Sequence, residues 1–218
     1  MIDFGRVAIF PLPESVLFPN AFLPLHIFEP RYRKMTEDAI ATGMPIAICM
    51  AKPGEDLAGH AEVFPIAGVG VIARHERLAD GRFNIVLRGL ARMRIEEELP
   101  HRPYRIVRAE PLADHWPHER ESLARPVETL RACVEKIAAL TNEPAIAAEV
   151  LRRVAEAKND AACLSDAIAS MFVGDARERQ ALLEELSVVA RLDRVTSSLA
   201  ELLLRAEAAR GGDDEPVQ

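Results

Sequence analysis

Asp114-His115-Trp116-Pro117-His118-Glu119 gathers two histidines and two carboxylates into six consecutive residues. These are metal-ligand types, and zinc would take three or four of them converging on one point. Pro117 stands between the histidines and keeps one helical face from presenting both. The plainer reading is a solvated linker with Trp116 packed as an anchor, and no metal is expected. His26, in His26-Ile27-Phe28-Glu29-Pro30-Arg31, could act as a general base only beside a nucleophile or an acidic partner, and the sequence supplies no obvious one. A hydrogen-bonded strand histidine fits better, with Glu29 and Arg31 forming a local ion pair or cap. Arg88, Arg92 and Arg94 could touch an anion. They run on into Glu96, Glu97 and Glu98, which makes a solvated mixed-charge face the default. A nucleotide-phosphate loop needs G-x-x-x-x-G-K-[ST]. No Gly here precedes a Lys, and Lys34, Lys52, Lys136 and Lys158 all lie outside Gly-rich stretches. No catalytic residue and no cofactor is therefore expected.

The stretch Pro11 to Arg33, PLPESVLFPNAFLPLHIFEPRYR, is shaped differently. Proline cannot donate to a sheet ladder, so Pro11, Pro13, Pro19 and Pro24 belong at strand starts, edges or turns. The segment reads as a short strand, an apolar loop, a second strand from Phe22 to Phe28, and a helix opening at Pro30. Leu17, Phe18, Phe22 and Leu23 surround Pro19-Asn20. Loops lie at the surface, and an exposed apolar patch marks a partner site. These four residues are the candidate peptide- or partner-binding set. The competing reading has the loop folded back to plug a barrel end; between the two, Phe18 is expected to be buried and Phe22 exposed.

The elements that would hold these residues change type near Trp116. Before it, strand and turn signals dominate. Pro30 suits the first position of a helix, in which Tyr32, Met35, Ala39 and Ile40 would face inward, and Gly43 supplies the stop. Ile46 to Met50 reads as a buried strand. Phe64 to Leu78 and Arg82 to Arg88 flank Ala79-Asp80-Gly81, a hairpin signal. Arg92 to Glu96 and Tyr104 to Ala109 are further strands. Short strands with one inserted helix predict a small, nearly closed barrel, because closure removes edges. After Trp116, helical stripes follow one another: Leu123 to Ile137; Ile146, Val150 and Val154; Cys163 to Phe172 behind an Asp160 cap; a short helix capped by Asp175; and Val188, Leu192, Val195, Leu199, Leu202 and Leu203 behind Ser187. The fold class is α+β. The expected organisation is a barrel over 1–112, a linker over 113–120, a helical bundle over 121–210 and a frayed tail over 211–218.

Bulk properties set the remaining bounds. The 218 residues suffice for one large domain or two small ones. The net charge of −7 argues against a chain that coats nucleic acid. Three scattered cysteines fit a reduced, cytoplasmic protein. No apolar run reaches the roughly 20 residues of a membrane helix.

Taken in order, several motifs resemble the Lon N-terminal, substrate-binding domain family. They are Phe10-Pro11-Leu12, Val16-Leu17-Phe18-Pro19, Leu23-Pro24-Leu25, His26 to Arg33, Gly68 to Val71, Asp80-Gly81, Gly89 to Ile95 and Arg108 to Leu112. Leu182 to Leu186 and Arg191-Leu192 continue the likeness into the helical half. The resemblance implies a PUA-like barrel with one inserted helix, followed by an α-helical bundle, in a standalone bacterial form without ATPase or Ser–Lys protease domains. It implies a non-catalytic module that binds polypeptide segments or a protease or chaperone partner through an apolar surface. An RNA-binding PUA-like protein is the first alternative, and a hydrolase the second.

Overall fold

The computed structural model describes residues 2–55, 60–100, 103–141, 143–157 and 160–211. The chain folds into two compact units. One comprises Met1–Ala113 with Asp175–Glu184; the other comprises the described residues of Asp114–Gly174 and Glu185–Gln218.

In the first unit, β1 (Val7–Leu12) and β3 (Ile46–Met50) are buried almost without interruption. A strand reads this way when both of its faces are covered. They pair in parallel, linked through β2 (Phe22–Ile27) and α1 (Pro30–Thr42). β4 (Ile66–Arg77), β5 (Phe83–Leu99) and β6 (Arg105–Leu112) complete a sheet of order β2-β5-β4-β3-β1-β6. β6 also pairs with β5, so five strands close into a ring. β2 hangs outside it on the first half of β5.

Alternation sorts the core into two layers. Val7, Ile9, Ala47, Cys49, Val69, Met93 and Val107 come from all five ring strands and fill its interior. The opposite faces, including Phe10, Ile46, Ile48, Ile85 and Ile106, pack with Tyr32, Met35 and Ala39 of α1. Ile40, expected on that helical face, is 37% exposed. At 100° per residue it lies past the buried stripe of Tyr32, Met35, Thr36 and Ala39. Glu29 and Gly43 bound α1 as N-cap and left-handed C-cap. The Asp80-Gly81 turn closes β4 onto β5, with Leu78 N–H donating to the Arg82 carbonyl at 2.8 Å.

Two elements differ from expectation. Arg82–Arg88 and Arg92–Glu96 are not separate strands; β5 runs unbroken through Gly89 for 17 residues, bulged near Ile95. The short helix α5 (Ala176–Glu184) falls within the span expected to be bundle, 121–210, yet belongs to the barrel unit. Gln180 Nε2 donates to the Ile66 carbonyl at 2.8 Å, and Arg179 Nη2 to the Glu14 carbonyl at 2.8 Å. Asp175 caps this helix, accepting the Glu178 N–H at 2.8 Å.

The second unit contains α2 (Ala124–Leu140), α3 (Pro144–Glu156), α4 (Ala161–Phe172) and α6 (Val188–Gly211). Val127, Leu130, Val134, Leu164, Ile168, Leu192, Val195 and Leu199 form its apolar interior. Ile146 and Leu202, expected inside, are 51% and 37% exposed. Asp160 caps α4, and Ser187 Oγ accepts from Ala190 N–H at the start of α6. Arg191 is fully buried. It donates to Asp114 Oδ1 at 2.8 Å, Ser165 Oγ at 3.0 Å and the Glu185 carbonyl at 2.7 Å, with Asp166 Oδ1 at 3.1 Å. A buried guanidinium is tolerable only with its donors met in this way. Of the tail expected over 211–218, all but Gly211 lies outside the described residues.

Candidate functional site: the β2 edge

The loop before β2 is fastened by two glycines far away in sequence. A Cβ on Gly68 would overlap the Leu17 carbonyl oxygen, and one on Gly89 would overlap the Phe18 carbonyl oxygen. Asn20 N–H donates to the Gly89 carbonyl and Gly89 N–H to the Ala21 carbonyl, both at 2.9 Å. Asn20 takes φ 63°, the left-handed region that Asn tolerates. The loop therefore lies directly on backbone. Leu17 is 1% exposed and Phe18 0%. These two members of the expected binding set are core residues and offer no surface to a partner; their backbone lies directly on Gly68 and Gly89.

Past Asn20 the chain becomes the sheet edge. Among the described residues β2 is paired along one side, antiparallel to β5 from Phe22↔Arg88 to Ile27↔Phe83. Alternation gives it two characters. Leu23, Leu25 and Ile27 turn inward; Phe22, Pro24 and His26 turn outward. Phe22 is 49% exposed, and Phe28, on the same parity just past the strand, is 61% exposed. Pro24 carries no N–H, which blunts the edge against uncontrolled pairing. Across the outer face of β2, β5 and β4 runs a groove of about 540 Å³, lined by Pro24, His26, Val86, Asn84, Arg74 and Glu76 among others.

His26 is held in a row of polar groups across three strands. Its Nδ1 meets Asn84 Oδ1 at 2.8 Å, its Nε2 meets Arg82 at 3.2 Å, and Asn84 Nδ2 donates to Glu76 at 3.2 Å. This is the hydrogen-bonded strand histidine. Glu29 and Arg31 pair at 2.9 Å, and Asp80 is held below the usual carboxylate range by the Arg82 backbone N–H.

The other sequence candidates lie elsewhere. Asp114 serves Arg191. His115 is pinned by its backbone to Leu186 and Val188 rather than solvated as free linker. Trp116 stacks under the Arg120 guanidinium at 4.2 Å. No group of three metal-ligating side chains occurs among the described residues. Arg92 corrects the mixed-charge expectation: it is buried, and its Nε donates to the Leu183 carbonyl in the last turn of α5 at 2.9 Å. That carbonyl lacks a helical partner, so a cation suits it. Arg94, Arg105 and Arg108 do pair with Glu110, Glu98 and Glu96 at 3.5, 2.9 and 3.3 Å.

The threading of Val16–Pro19 over Gly68 and Gly89 joins three of the ordered motifs into one packing unit. A family model described as the ATP-dependent protease La (LON) substrate-binding domain matches residues 6–201. The chain belongs to the Lon substrate-binding domain family. It is 30% identical over 204 residues to the Lon protease of Dictyoglomus thermophilum and 28% over 209 residues to Lon protease 2 of Sorangium cellulosum. Each match covers 92% of this chain and 25% of the relative, so the chain spans about a quarter of these Lon proteases. Among solved structures, a Lon N-terminal domain protein from Xanthomonas campestris superposes with TM-score 0.63 at 21% identity, over 88% of this chain and 97% of that one. The N-terminal domain of a Mycobacterium avium complex Lon protease gives 0.69 at 16%, over 89% and 98%. These two structures share the fold.

Phe28, which the structure exposes, is not among the sequence candidates, although its parity with Phe22 across the predicted strand signals it. Arg74 and Asn84 carried no local signal; the sheet register brings them to the groove.

Proposed function

We propose that this chain is a non-catalytic polypeptide-binding module of the Lon family, taking extended segments of unfolded or partner proteins at the β2 edge. The observation that carries the reading is an open strand edge bearing Phe22 and Phe28 beside the 540 Å³ groove. Strand addition supplies backbone hydrogen bonds at such an edge except at Pro24, which has no N–H to give, and alternate side chains of the ligand find apolar contacts. Of the original set, Phe22 and Leu23 remain: Phe22 as the contact, and Leu23 as the residue that seats it. The absence of a G-K pair from the sequence argues against ATP turnover. The carboxylate partners of Arg94, Arg105 and Arg108 weaken the case for RNA at that face.

Hydrogen exchange tests the site. Adding a permanently unfolded, carboxymethylated protein should slow amide exchange in residues 20–28 and in the facing part of β5. Unchanged exchange there, with or without protection elsewhere, rejects β2 as the binding edge.

A further inference from the structure

The outer face around the β2 edge is charged unevenly. Register sets Phe22 beside Arg88 and Pro24 beside Val86, and β4 extends these rows with Val71 and Arg74. Arg74 and Arg88 are exposed, and neither has an acidic partner among the described residues. Neighbouring arginines do: Arg77 meets Glu37 at 3.3 Å and Arg82 meets Asp80 at 2.6 Å. The next row, His26–Asn84–Glu76, is tied together and ends in a carboxylate. The outer face is therefore basic at its Phe22 end, whereas at its His26 end the Arg82 guanidinium is offset by Asp80 and Glu76, on a chain whose net charge is −7.

We propose that the preferred occupant is an extended polypeptide segment that carries an aspartate or glutamate two residues from an apolar or aromatic residue. This deepens the proposed function and rests on β2 being the binding edge. In an added strand, residues i and i+2 share a face. The apolar residue covers Phe22, and the carboxylate lies over Pro24 toward Arg88. Strand spacing puts Arg88 about 10 Å from an added strand, a gap that facing Arg and Glu side chains span together. Arg74, one strand further at about 14 Å, acts through space at low salt, where the screening length exceeds that distance.

Fluorescence anisotropy on the full chain tests this with two labelled peptides of the same alternating Phe, Val and Thr sequence. One carries Glu, and the other Lys, at two positions on the Phe face. The Glu peptide should bind about tenfold tighter at low salt, with the gap shrinking as salt screens it. Arg74→Glu combined with Arg88→Glu should reverse the preference. Equal affinity for both peptides, abolished by Phe22→Asp, overturns the charge preference and leaves polypeptide binding standing. Failure of both peptides to bind rejects the binding edge and this inference together. A preference that survives the double charge reversal also overturns the assignment to Arg74 and Arg88.

Discussion

Two regions of the barrel unit, adjacent in sequence and alike in composition, have opposite fates. Leu17 and Phe18 are sealed on the closed ring, while Phe22 and Phe28 are 49% and 61% exposed on the open edge. Apolar side chains alone do not separate them. The difference lies about 50 to 70 residues away, where Gly68 and Gly89 leave backbone bare for the Leu17–Phe18 segment. β2 has no equivalent cover on its outer side among the described residues. The first region buries its apolar area in folding, and the second leaves it at the surface.

The contrast breaks most visibly at Phe18. Phe18→Ala should cost about 3–5 kcal/mol, the range for a buried aromatic lost from a core. Denaturant titration reads it, and a loss below about 1 kcal/mol would place Phe18 with Phe22 instead. Gly68→Ala should cost about 1–3 kcal/mol or more, because the Cβ meets a backbone oxygen that cannot swing aside. Its effect should be confined to stability, with polypeptide affinity unchanged under conditions where the variant is folded.

The ring interior also has an alkaline pH signature. Burial pushes the Cys49 thiol from 9.0 up to about 12. The unfolded chain ionises this group while the native state still holds its proton. The associated stability is complete below about pH 8.5 and is lost as pH rises toward 12, at about 1.4 kcal/mol per pH unit. Unfolding midpoints measured across that range should fall for the wild type and fall less steeply with Cys49→Ala, the remaining slope coming from the raised Cys163 thiol and the raised Tyr32 and Tyr104 hydroxyls. A smaller effect is expected at the far end of the edge. Phe28→Ser should shift stability by no more than about 0.5 kcal/mol and weaken polypeptide binding several-fold, a change read by anisotropy.

Much of this was legible locally. Pro30 and Gly43 mark the ends of α1, Asp80-Gly81 marks the hairpin, and Asp160 and Asp175 mark helix starts, because caps and turns depend on a few neighbouring residues. The outward parity of Phe22 was legible once a strand was read. The burial of Leu17 was not, since its backbone lies on Gly68, far away in sequence. Nor was the burial of Arg92 or the allegiance of α5, which are set together by the Arg92–Leu183 and Gln180–Ile66 hydrogen bonds across about 90 and 114 residues of chain. Local composition carries no trace of such distant pairings.

The open edge as a binding site is tested most directly by Phe22→Asp, measured for stability and for capture of an unfolded carboxymethylated protein on the same preparation. A half-exposed strand position should tolerate the change within about 1 kcal/mol. Binding should be lost, because a central aromatic anchor carries much of the affinity at such a surface. A folded Phe22→Asp protein that binds the unfolded protein as tightly as the wild type would contradict the account.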